Sequence, residues 1–133
     1  MKNTVFVIAF LCASVFLLSM TYHVNQDDKW PVPDKYKKMK NPFAKTTDSE
    51  QNGKMLYATH CKSCHGTKGK GDGTKAAALK TKVPDLTSAA VKAEPDGAIY
   101  FKTFFGKEDM PGFEKKVIEE EDRWLLVNYI KGL

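Results

Sequence analysis

Cys61-Lys62-Ser63-Cys64-His65 places two thiols and an imidazole in the pattern C-x-x-C-H. Close pairs of thiols serve a structural zinc site, a dithiol redox couple, a disulfide or the covalent attachment of a haem. Zinc needs four ligands, and no second cysteine pair exists, because Cys12 belongs to an apolar N-terminal run. A dithiol couple puts its C-x-x-C at the end of a strand in a βαβ setting, whereas a helical pattern precedes Cys61. A disulfide across two intervening residues would staple almost nothing. Haem attachment accounts for all five positions: thiols one helical turn apart bond to the two vinyl-derived edges of the macrocycle, and the adjacent imidazole of His65 meets the iron. One covalent haem c is therefore the expected cofactor.

A second axial ligand must come from elsewhere, and Met110 is the best candidate. It lies between two helical patterns and is followed by Pro111, which stiffens the loop. It is also far enough from His65 along the chain to reach the opposite haem face. Met55 lies too close before the cysteines, Met39 falls in a linker and Met20 in the apolar start. His60 adjoins Cys61, and His23 borders the apolar run, so neither competes. A thioether favours ferrous iron, raises the potential and occupies the position where oxygen or peroxide would bind. A peroxidase or gas sensor would need that position open.

Helices must position these groups. Asp48 or Ser49 can cap a helix through Glu50, Lys54, Tyr57 and His60, and Gly53 within it suggests close packing. GTKGKGDG, residues 66–73, is too rich in glycine for helix, whereas residues 74–80 with three successive alanines can form a short one. Pro84 forces an extended stretch. Asp96 can cap a helix over 97–105 that ends at Gly106, and a last helix runs from about Glu119 to Lys131, with acids in its first turn and a lysine in its last. No strand pattern or repeat competes, so the class is all-α.

The first 23 residues read as a signal peptide or membrane anchor, because residues 4–20 form an almost unbroken apolar run. Ser19-Met20-Thr21 is a poor cleavage pattern, while lysines after the run oppose the positive-inside preference and lean toward cleavage. Leu11 before Cys12 speaks against a lipoprotein. Residues 24–47, with three prolines and six lysines against three aspartates, read as an extended linker, leaving 48–133 as the folded domain. That domain has fourteen bases against thirteen acids, so the formal charge of +5 resides mostly outside it, and a nucleic-acid partner is not expected.

Residues 48–133 resemble the class I cytochrome c family, through G-x-x-x-Y before CKSCH, PDL after the haem loop, MPGF, and a closing helix with W and NYIK. The resemblance implies a small fold whose first and last helices cross near Gly53, with Tyr57 packed on Leu126 and Tyr129. It further implies that the Pro84 carbonyl accepts the second imidazole proton of His65, and that Leu86 packs on the haem. The short connection from His65 to Met110 and the linker KWPVPDKYKKMKNP look like monohaem cytochromes of bacterial respiratory complexes, including the alternative complex III type. The expected function is single-electron transfer between redox proteins rather than enzymatic catalysis, with a fixed haem subunit of a larger membrane assembly as the alternative. The expected location is the periplasm or the outer face of the cytoplasmic membrane.

Overall fold

Thr46 starts the longest helix among the described residues, since its hydroxyl accepts the Ser49 amide at 3.2 Å while the Ser49 hydroxyl accepts the Thr46 amide at 2.7 Å. The computed structural model describes residues 30–43 and 45–133. In chain order the helices are α1 Asp34–Lys37, α2 Thr47–His60, α3 Lys62–His65, α4 Ala89–Ala93, α5 Asp96–Phe105 and α6 Glu120–Gly132, with a 3-10 turn at Ala76–Ala78 between α3 and α4. The described residues contain no strand beyond an isolated bridge between Lys107 and Met110. The all-α expectation holds. The apolar run 4–20, together with Cys12 and His23, lies outside the described residues. Among the described residues no helix is long and apolar enough to cross a membrane.

The buried residues of α2 are Ser49, Gly53 and Tyr57, and Cys61 follows at the same spacing of four. Such spacing draws one narrow stripe along the helix, and α6 packs against it. A Cβ on Gly53 would run into the Leu125 carbonyl oxygen and stand 2.8 Å from Tyr129 Cβ, so only glycine lets the two backbones approach this closely. The Tyr57 ring lies 5.3 Å from that of Tyr129 and shares the core with fully buried Leu126. The first and last long helices therefore cross at Gly53, as the resemblance implied.

Local signals deviated at several ends. Asp48 and Glu50 sit in the first turn of α2, where the dipole favours them, but Thr46 supplies the cap. Pro95 precedes α5 without a side-chain cap, and Asp96 occupies the first turn instead. At the other end Gly106 has φ of 67°, the left-handed stop expected there. The alanine run yields only the 3-10 turn, and Ser88 caps the unanticipated α4 through the Val91 amide.

Residues 30–43 depart most from expectation. They are packed against the domain rather than extended from it. Val32 is buried, α1 lies on α5, and the Tyr36 ring sits 4.8 Å from Phe101 and 5.3 Å from Phe105. Gly97 makes room for this, because a Cβ there would strike the Tyr36 carbonyl oxygen and stand 2.8 Å from Met39 Cβ. Further along, Asn41 donates to the Trp124 carbonyl at 3.2 Å and to Asn128 Oδ1 at 2.9 Å, and Asn128 donates to the Phe43 carbonyl at 3.2 Å. Proline and lysine content suggested a linker. The aromatic and amide side chains between them find partners on α5 and α6, which lie far away in sequence.

Candidate haem site

Cys61 ends α2 and begins α3, and its carbonyl accepts the amides of Cys64 at 3.1 Å and His65 at 2.9 Å. One tight turn thus presents both thiols and the imidazole together. Cys61 and His65 are buried and Cys64 is half-buried. Burial, and then the neighbouring Cys64, push the Cys61 thiol up to about 12.

The chain after His65 folds back on the motif. Amides of Gly71, Gly73 and Lys75 donate to the carbonyls of His65, Cys64 and Ser63 at 2.9, 3.1 and 2.8 Å. Tyr57 Oη donates to the Gly66 carbonyl at 2.8 Å, tying the loop to the helix crossing. Burial lowers the His65 pKa below its ordinary value, and the Pro84 carbonyl pulls in the opposite direction. That carbonyl borders the imidazole, yet Nδ1 is buried without a well-formed hydrogen bond.

Asp85 secures the Pro84 segment. Its carboxylate accepts the Thr87 amide at 2.8 Å, the Thr87 hydroxyl at 2.6 Å and the Lys70 ammonium at 3.3 Å. The Thr87 bonds, and then Lys70, hold its pKa below the ordinary 3.8. A depressed carboxylate contributes stability that is complete above its unfolded pKa and is lost as the pH falls through the lower folded value. Asp85→Asn should therefore be less stable than the native chain at neutral pH, with the difference closing as the pH falls below about 4. Thermal midpoints measured from pH 6 to pH 2 check this; parallel profiles for the two proteins would contradict it.

Met110 is held by a two-residue turn. Lys107 and Met110 exchange backbone hydrogen bonds of 2.9 and 3.0 Å around Glu108 and Asp109, and Glu108 has φ of 55°. Thr81 clasps this turn from across the molecule, its amide donating to Asp109 Oδ2 at 2.8 Å and its hydroxyl to Glu108 Oε2 at 3.2 Å. A cavity of about 660 Å³ results, lined by Cys61, Cys64, His65, Pro84, Met110 and Phe113 among others. Five of the six expected site residues meet on its wall. Leu86 does not: it packs on the core, and its amide donates to the Gly69 carbonyl at 2.7 Å. Phe113 and Trp30 were missed as wall residues. MPGF contains the first, while an isolated aromatic ahead of a Pro-x-Pro was the only signal for the second.

These residues fit a haem. Two thiols, an imidazole and a thioether line one cavity of ligand size, which is the donor set that a covalently attached haem requires. A family model described as "Cytochrome C oxidase, cbb3-type, subunit III" matches residues 48–130. Among solved structures the chain is similar to one from the Kuenenia stuttgartiensis reducing HAO-like protein complex, at 26% identity and a TM-score of 0.62. That match covers 68% of this chain and 46% of the other, so the chain spans less than half the length of that relative. No curated protein matches the chain. Crossed helices, the C-x-x-C-H turn, the cavity and a match over residues 48–130 lead to one assignment: the chain belongs to the cbb3-type subunit III family of cytochrome c domains, and its cofactor is one covalently bound haem c.

Proposed function

We propose that the protein carries single electrons between redox proteins on the outer side of the cytoplasmic membrane, and that Cys61 and Cys64 would anchor the haem covalently while His65 and Met110 would ligate its iron. The observation that supports this is the meeting of all four residues around one cavity. When bound, haem supplies a ferric/ferrous couple that needs no bond changes. The chain's residues then have static tasks. Two thiols would clamp the macrocycle, the turn after Cys61 would hold the His65 ring beside it, and the Thr81 clasp keeps the Met110 turn in place. Pro84 offers its carbonyl to the outer imidazole nitrogen, fixing the ring's orientation. No acid or base is required.

Intact mass and the haem absorption band of the exported protein test the reading. A chain heavier than its amino acids by one haem is expected, and this increment should vanish in the Cys61→Ala, Cys64→Ala double variant. A native chain of bare polypeptide mass with both thiols free would refute the assignment.

Lys75, Lys82, Lys107 and Lys116 line the cavity against Glu108 and Asp109. This basic excess favours encounter with an acidic partner, and the exchange rate should fall by roughly threefold or more between low and physiological salt. Stopped-flow electron exchange against ionic strength measures it, and a flat dependence would remove the steering. A second reading is a fixed subunit that relays electrons within a larger assembly. The packing of residues 30–43 onto the domain favours it, because these residues are fastened to the haem domain instead of serving as a linker. Detergent-free extraction and native mass measurement separate the two readings: redox subunits that co-purify support the assembly.

A further inference from the structure

Trp30 lies on the wall of the cavity that also holds His65 and Met110. It belongs to a segment outside residues 48–130, the span that the family model matches. We propose that Trp30 is a haem-packing residue, delivered by residues 30–43 acting as a strap, so that one wall of the cofactor site comes from upstream of the cytochrome domain. This rests on the haem assignment above and adds a residue to it.

A half-buried indole at the start of a loose tail would have little meaning, but this one is anchored within two residues. Val32 is 5% exposed, and a prolyl ring on either side limits the backbone between it and α1. Behind it the strap is fixed three times over: by the Tyr36 ring among Phe101 and Phe105, by the Gly97 socket, and by the Asn41 amide on Trp124 and Asn128. Each fastening lies on α5 or α6, elements whose positions the core determines. Trp30 is thus held against the cavity with the rigidity of the domain itself. An indole is large and apolar and has only two side-chain torsions, so it covers a flat macrocycle at low entropic cost. Covering a haem edge excludes water, which otherwise stabilises the more highly charged ferric state.

The test uses the full-length haem protein. With Trp124→Phe, Trp30 becomes the sole indole, and contact with haem should quench its fluorescence at least tenfold relative to the same chain unfolded in denaturant. In the otherwise native chain, Trp30→Ala should lower the midpoint potential, so that at a fixed ambient potential the ratio of reduced to oxidised protein falls by roughly threefold or more, with a changed Soret circular dichroism. Trp30→Phe should restore most of both. Gly97→Ala favours the α5 helix by propensity but pushes on the Tyr36 carbonyl, and it should reproduce the Trp30→Ala potential by displacing the strap. An unquenched Trp30, or an unchanged potential and Soret signal in Trp30→Ala, would overturn the proposal. Absence of haem from the native chain would instead refute the function, and intact mass distinguishes the two failures.

Discussion

Met110→Ala should yield a reduced protein that binds carbon monoxide, which the unaltered protein should exclude, and a midpoint potential lower by on the order of 100 mV. The size of the effect follows from the role of the thioether, since axial ligands together span roughly 0.8 V of haem potential. Little else should change. The backbone bonds between Lys107 and Met110, the Thr81 clasp and Pro111 all persist when the side chain is shortened. Nor can another methionine among the described residues take over. Met55 is 60% exposed on α2, and Met39 is packed against Gly97 in the strap. His60 borders the cavity, but its ring lies 5.8 Å from that of Phe113, at the end of the helix that leads into the cysteines. Carbon monoxide difference spectra and a redox titration make the measurement. An unaltered potential with no new binding would place the sixth ligand on another residue.

Gly53→Ala should destabilise the haem protein by about 2 kcal/mol, a fall of roughly 10 °C in thermal midpoint for a domain of this size. Two effects oppose one another. Alanine favours an isolated helix by about 1 kcal/mol over glycine. Against this, the added Cβ meets the Leu125 carbonyl oxygen and Tyr129 Cβ at 2.8 Å, and a carbonyl within a helix cannot step aside as a side chain can. The helices must move apart, loosening Tyr57 and Leu126 at the centre of the core. The disturbance should extend to the site, because the Tyr57 hydroxyl holds the Gly66 carbonyl just after His65. Thermal unfolding followed by the haem band and by far-ultraviolet circular dichroism tests the expectation. A midpoint equal to or above that of the native chain would show that propensity outweighs the clash.

Much of the site could be read locally because its parts are local. Five consecutive residues carry both anchors and one ligand, and their own helical turn brings them together. The loop of glycines, with Gly66, Gly69 and Gly71 at positive φ, and the left-handed Gly106 likewise follow from backbone preferences that need no distant partner. Leu86 was harder. A leucine two residues after a proline can turn to either side of its loop, and the bond from its amide to Gly69 goes with packing on the core rather than the cavity wall. Pro84 reached the ring of His65 only because the Asp85, Thr87 and Lys70 cluster folds that loop onto the motif.

The sequence by itself determined the chemistry: the C-x-x-C-H turn, a methionine in a stiffened loop, all-helical local patterns and a glycine spaced for a crossing. Tertiary structure alone decided that residues 30–43 belong to the domain and that Trp30 reaches the haem cavity. The reason is the range of the interactions. Covalent spacing and backbone conformation act within a few residues, whereas Asn41 finds its partners 83 and 87 positions away, on a helix whose place exists only once the core has formed.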